Sequence, residues 1–258
     1  MSWGVFDSGV GGLTVARELQ RVIPGLPLVY LGDTARVPYG IRSAETVRLY
    51  AREAATFLAQ TGVEGIVVAC NTASALALDV FRDQFPGPVQ GVVGPGAERA
   101  VEATRNGRIG VIGTAATVRS GAYAERIRAL QPATDVISIA CPLFVPLAEE
   151  GWIDGAVPKL VAERYLAPMI EARIDTLVLG CTHYPLLKPV IRQVVGDGVT
   201  LVDSAESVAL AVLQSIDRNR VHQGVDRFCV TDAGGSFTAV ASRFLGKEIP
   251  KLETVELG

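Results

Sequence analysis

Short apolar runs alternate with longer segments whose apolar positions recur at helical spacing, and the chain repeats this alternation almost to its end. Residues 2–6, 28–31, 65–69 and 89–93 read as strands. Between them lie a helix with Leu13, Val15, Ala16, Leu19, Val22 and Ile23 on one side, stopped by Pro24 and Gly25, and a helix over 43–60 with Val47, Tyr50, Ala51, Ala54, Ala55 and Leu58 in register. A third helix runs from the end of the third strand to about residue 84. This order predicts a parallel sheet with right-handed crossovers. The pattern then restarts. After a helix to about 104 come strands over 108–113, 136–140 and 176–180, separated by a helix to about 130 and a long one near 156–172. A strand over 200–203 and a helix over 205–217 follow. In the tail, 226–231 reads as a strand in a hairpin and 236–245 as a helix, with the tail packing back on the first half.

Two series of this kind predict an α/β protein of two similar domains with mainly parallel sheets, related by an approximate two-fold axis, and a site in the cleft between them. The expected division is 1–96 plus 207–258 for the first domain and 97–206 for the second. Each series delivers a cysteine at the end of its third strand. In the first, Val67, Val68 and Ala69 lead into Cys70, Asn71 and Thr72. In the second, Val178, Leu179 and Gly180 lead into Cys181, Thr182 and His183. The intervals match: 65 residues separate Val5 from Cys70, and 70 separate Val111 from Cys181. Strand C-terminal ends are where open α/β sheets bind ligands, so the two thiols are expected to face one another across the cleft.

Composition narrows the setting. The chain has 258 residues, 49% hydrophobic and 20% charged, with a net charge of -3, which leaves no electrostatic footprint for nucleic acid. No run approaches the ~18 apolar residues of a membrane span, and Met1 to Asp7 runs straight into a strand rather than a signal sequence. Cys70, Cys141, Cys181 and Cys229 are far apart and follow no secreted disulfide pattern, which points to the cytoplasm. Cys141 and Cys229 read as core residues. His222 lies in a polar segment and reads as surface.

Several chemistries use reactive thiols. Free cysteines are most often small buried hydrophobes, but a helix N-terminus following each strand would lower a thiol pKa, and His183 stands two residues from Cys181. A hydrolytic Cys–His pair leaves the second cysteine idle. A redox pair wants Cys-x-x-Cys, and a zinc site wants more clustered ligands than two histidines and scattered cysteines provide. Proton transfer at a carbon stereocentre is the mechanism that employs two like groups on opposite faces. Asp7, at the end of the first strand, would play beside Cys70 the part His183 plays beside Cys181.

The turn from Asp7 to Gly12 breaks the dinucleotide fingerprint at its third glycine and carries an aspartate that would repel phosphate. It suits a small zwitterion, with Asp7 towards an ammonium and Ser8 towards a carboxylate. Pro38, Tyr39 and Gly40 form a loop able to offer a hydroxyl and backbone amides to a carboxylate. Thr114 and Thr117 sit one turn apart at a helix start, as caps or as ligand contacts. Glu149 and Glu150 read as a solvated helix end.

Taken together, Asp7 to Leu13, Gly32 to Gly40, Val68 to Ala73, Gly113 and Thr114 with Thr117, Ala140 to Phe144 and Leu179 to Pro185 resemble the glutamate racemases of the aspartate/glutamate racemase family. The resemblance runs from Phe6 to the tail. It implies interconversion of L- and D-glutamate for peptidoglycan, with no cofactor and no metal. It implies that Cys181 takes the α-proton from L-glutamate and Cys70 from D-glutamate, with Asp7 assisting Cys70 and His183 assisting Cys181, backed by Glu149. Ser8, Asn71, Thr72 and Thr182 would hold polar groups near the α-carbon, while Tyr39 and Gly40 hold a carboxylate. It also admits a homodimer among several assemblies. Aspartate or hydantoin racemisation is the alternative activity, and a two-lobed small-molecule binding protein the alternative of another class.

Overall fold

The computed structural model describes residues 1–217, 219, 221, 224–235, 237–249 and 251–258. His222 lies outside them. Two sheets organise the chain. The six-stranded sheet combines β1 (Trp3–Asp7), β2 (Leu28–Gly32), β3 (Gly65–Val68) and β4 (Val89–Gly91) with β9 (Arg227–Val230) and β10 (Leu252–Thr254), in the order β10-β9-β2-β1-β3-β4. The four-stranded sheet holds β5 (Arg108–Gly113), β6 (Asp135–Ala140), β7 (Thr176–Gly180) and β8 (Thr200–Asp203), in the order β6-β5-β7-β8. Every strand pairing among the described residues is parallel.

The orders β2-β1-β3-β4 and β6-β5-β7-β8 are the same path drawn twice, so the molecule is two α/β domains in pseudo-two-fold relation. In each, the strand order reverses between the first and third strands, and the crevice beyond their C-terminal ends is where such sheets take ligands. Asp7 ends β1 there and Cys70 comes two residues after β3; Thr114 and Cys181 follow β5 and β7. The central strands β1, β2, β3 and β7 are buried at every position, as continuous apolar runs covered on both faces by helices should be.

Connecting helices cover the sheets. On the first lie α1 (Leu13–Val22), α2 (Ala44–Gln60), α3 (Asn71–Leu76) and α4 (Leu78–Gln84). With the second go α5 (Val93–Ala103), α6 (Ala115–Arg119), α7 (Ala122–Leu130), α8 (Phe144–Glu150), α9 (Ala156–Glu171) and α10 (Lys188–Val195). α11 (Ser204–Ser215) packs on both α1 and α5 and so joins the two sides, while α12 (Phe237–Leu245) packs on α1. The long helix expected after Cys70 is broken at Ala77, which leaves the helical region at φ -147°. The helix expected up to residue 130 is broken at Gly121, whose left-handed φ of 70° only glycine adopts freely.

The described residues of the tail do not form the expected hairpin. β9 pairs with β2 and with β10, both in parallel, and two parallel neighbours cannot be joined by a tight turn. The glycine-rich segment after β9 leads into α12, which makes the crossover to β10, a strand too short and polar to stand out in the sequence. No helix among the described residues is long and apolar enough to cross a membrane.

Candidate active site

The two cysteine-bearing strand ends open onto one cavity of about 220 Å³. Its wall takes Ser8, Cys70, Asn71, Thr72 and the Pro38–Gly40 segment from the first sheet's side, and Thr114, Glu149, Cys181, Thr182 and His183 from the second's. Both cysteines are 5% exposed. Asp7 and Thr117 stand immediately behind this wall. Of the expected site residues, the structure therefore brings all to one place, twelve on the surface of the cavity and two beneath it.

On one side, Cys70 is the N-cap of α3, and the Ala73 amide donates to its Sγ at 3.5 Å. The thiol lies 3.4 Å from the Ser8 hydroxyl. Helix amides were expected to lower this pKa. Instead burial, reinforced by the charge of Asp7, pushes it up to about 12, outweighing the Ser8 hydroxyl and the Ala73 amide. Cys70 rests as the protonated thiol. Asp7 is 1% exposed and accepts from the Gly9 amide at 3.1 Å and the Thr182 hydroxyl at 3.4 Å. Burial raises its pKa against the pull of His183.

Cys181 is not at an α-helix N-terminus. Thr182 and His183 turn directly into a 3₁₀ segment, Tyr184–Leu187, with Pro185 near its start, and α10 begins only after it. The electrostatic partner is a side chain instead. His183 Nδ1 lies 3.8 Å from the Cys181 Sγ, and Nε2 lies 2.8 Å from Glu149 Oε1. Burial alone would lower the imidazole pKa, but bonding to Cys181 and Glu149 pushes it up to about 10. Protonated His183 is thus held between a thiol and a carboxylate, and Glu149 is part of this relay rather than a free helix end.

Three hydroxyls converge where the sides meet. Thr72 lies 2.9 Å from Thr114 and 3.2 Å from Thr117, and the last two are 3.0 Å apart. Thr114 also caps α6 through the Thr117 amide at 3.2 Å, so capping and cleft contact are one arrangement. Glycines permit the close approach. A methyl group at Gly11 would fall 2.3 Å from the Thr182 hydroxyl, and one at Gly40 would fall 2.8 Å from Thr114 Cβ. The Thr14 hydroxyl ties the sides further by donating to the Thr182 carbonyl at 2.9 Å.

The Tyr39 hydroxyl, expected to face a ligand, donates instead to the buried carboxylate of Asp33, which also receives Arg36 at 2.7 Å and Thr231 at 3.0 Å. A buried phenol needs a partner, and this one has it within the first domain. The Tyr39 hydroxyl is therefore committed to Asp33 rather than free for a ligand. Sequence reasoning missed Asp33 in this anchoring role, and missed Tyr123, whose hydroxyl donates to Asn71 Oδ1 at 2.7 Å while Asn71 Nδ2 donates to Ser204 at 3.3 Å. Tyr123 and Ser204 thus hold both ends of the Asn71 amide.

Cys141 and Cys229 are fully buried core residues. No group of three or more His, Cys, Asp or Glu side chains among the described residues is placed to hold a metal ion.

The pattern of the Asp/Glu/Hydantoin racemase family matches residues 13–212. The glutamate racemase of Geobacter metallireducens is 50% identical over 100% of this chain and 98% of its own. Among solved structures, glutamate racemase from Bacillus anthracis superposes with a TM-score of 0.93 at 39% identity, covering 99% of this chain and 97% of that one. Glutamate racemase from Francisella tularensis, solved in complex with D-glutamate, gives 0.92 at 36% identity and the same coverage. Two parallel-sheet domains with a cysteine at each matching strand end, and relatives of this identity along the whole length, agree: the chain belongs to the Asp/Glu/Hydantoin racemase family, among its glutamate racemases.

Proposed function

We propose that this chain interconverts L- and D-glutamate without a cofactor, by α-proton transfer between two thiols, and so supplies D-glutamate for peptidoglycan. The observation that carries this is the pair of cysteines: one from each domain, at equivalent strand ends, lining one small cavity. Cys181 takes the α-proton from L-glutamate and Cys70 delivers one to the opposite face; D-glutamate runs the sequence in reverse. The protonation states suit the first direction. Cys70 rests as an acid, ready to deliver a proton, and the protonated His183 lies 3.8 Å from the Cys181 sulfur. Burial raises the pKa of Asp7 and so makes its carboxylate a better acceptor for the Cys70 proton when that thiol must act as base.

The α-proton of an amino acid is far less acidic than a thiol, so the carbanion must be stabilised by its surroundings. Ser8, Asn71, Thr72 and Thr182 bond the α-carboxylate and ammonium, and the Tyr39–Gly40 backbone with the Thr114 and Thr117 hydroxyls receives the side-chain carboxylate. Preorganised donors in a cavity that closes on the substrate and excludes water would strengthen every one of these bonds. The D-glutamate held by the Francisella tularensis relative supports glutamate as substrate. Residues 1–96 with 207–258, and residues 97–206, are the two bodies that close on it.

Incubation with L-glutamate in deuterated water, without added cofactor, tests the reading. Loss of optical rotation with α-deuterium incorporation supports it; absence of exchange from either enantiomer overturns it. The reaction is placed in the cytoplasm, in keeping with four free cysteines. A homodimer is the proposed assembly, and a mass by light scattering of one 27.2 kDa chain would refute it.

A further inference from the structure

α12 brings two neighbouring side chains to the back of the His183–Glu149 pair. Phe244 is fully buried, and its ring meets the His183 imidazole edge to face, with centroids 5.0 Å apart and planes at 75°. Arg243, the preceding residue, reaches over the end of α8, where its Nη1 donates to the Glu149 carbonyl at 2.5 Å. That helix stops there because Gly151 turns left-handed at φ 77°, and the amides of Gly151 and Trp152 bond the Ala148 and Leu147 carbonyls. The Glu149 carbonyl lies in the same last turn, whose carbonyls lack helical partners and attract cations. The guanidinium can lie there only because residue 151 has no side chain: a methyl group would fall 2.8 Å from Arg243 Cζ.

These contacts cross the cleft. Ala241, Phe244 and Leu245 of α12 belong to the core built on α1 and β1, whereas α8 follows the second sheet's β6 and carries Glu149. Ala148, one residue before Glu149, is buried in that same first-domain core. The end of α8 is thus gripped from the first domain on two sides, directly behind the relay to Cys181.

The geometry points to Arg243 as a positioning residue for racemisation: it holds the end of α8 so that Glu149 stays on His183, and it makes proton transfer at Cys181 depend on contact between the domains. This role rests on the racemase reading above. Arg243 lies on the far side of Glu149 from the thiol and acts only through it. Its loss should slow the Cys181 transfer selectively and leave the Cys70 transfer untouched.

Because L- and D-glutamate are equally stable, kcat/KM falls by the same factor in both directions whichever transfer is slowed. Isotope effects separate the two. In the full chain, Arg243→Met should reduce kcat roughly tenfold with KM near the wild-type value, since misplacement of a catalytic group by a fraction of an ångström has effects of that order. The primary isotope effect should rise with α-deuterated L-glutamate, whose deuteron leaves to Cys181, and fall with α-deuterated D-glutamate, whose deuteron leaves to Cys70. Arg243→Lys, which keeps a cationic donor, should restore most of the rate. In a Glu149→Gln background, Arg243→Met should add little further loss. Isotope effects that stay unchanged or move together, or a lysine variant as impaired as the methionine one, would overturn the assignment. Failure of the racemase reading itself would register separately, as wild-type protein that exchanges no α-proton from either enantiomer.

Discussion

The hydroxyls of Thr72 and Thr114, one from each domain, meet at 2.9 Å across the cleft. Beside them Gly40 stands so close to Thr114 that a methyl group would sit 2.8 Å from its Cβ. Small groups bring the domains together here, close to both thiols on the wall of one cavity. Gly40→Ala should therefore wedge the cleft and impair catalysis far more than folding. Displacement of reacting groups by about 1 Å costs on the order of a hundredfold in rate. Steady-state kinetics beside a thermal melt checks this, and a variant with wild-type kinetics would show that the contact is not limiting.

Cys70→Ser and Cys181→Ser should each abolish most racemisation, by roughly a hundredfold or more, the usual contribution of a general acid or base. Neither should unfold the protein, because sulfur and oxygen differ little in size. The measurement is α-deuterium incorporation starting from each enantiomer. One fully active serine variant would mean a single-base mechanism.

Asn71 is braced by Tyr123 and Ser204, and both its amide ends are committed. Tyr123→Phe leaves Asn71 Oδ1 buried without its donor, so stability should fall by about 1–3 kcal/mol. With the amide freed to rotate, KM for glutamate should rise more than kcat falls. Urea unfolding and kinetics on the same preparation test both parts.

His183 titrates near 6.5 in the unfolded chain and near 10 when folded. A folded pKa above the unfolded one means that this group's stabilisation is complete below about 6.5 and disappears as pH rises through about 10. Cys70, raised to about 12, adds a loss as pH passes the ordinary thiol value of 9.0. Comparing wild type with His183→Asn isolates the first effect, since both retain Cys70. The difference in their melting temperatures should shrink between pH ~7 and pH ~10; a constant difference would count against a protonated His183.

Much of this arrangement is legible in the chain because the chemistry sits at strand ends. Cys70 and Cys181 stand out where apolar runs stop, and Asp7 and Thr114 follow from the same rule in the first strand of each series. What stays hidden is how the site residues are held. Tyr39 reads as a ligand contact because a loop tyrosine looks free, yet its hydroxyl goes to Asp33. Tyr123 reaches Asn71 across 52 residues, and Arg243 reaches Glu149 across 94, separations that no local pattern records. Glu149 could not be told from a solvated helix end until His183 was seen beside it. The tail misled for a related reason: a strand followed by glycines looks the same whether the chain turns back or crosses over.

β9 and β10 join the edge of a sheet whose other strands end at β4, and the entire second domain is made in between. On the ribosome, then, both thiols and the histidine emerge well before the strands and helix that complete their surroundings. The ring of Phe244, which rests on His183, comes 61 residues after it in the chain. Closing so long a loop is entropically slow, and a chain released early, before β9, would carry every reactive side chain without the ring that packs on the histidine. Competence waits on the segment from β9 to β10.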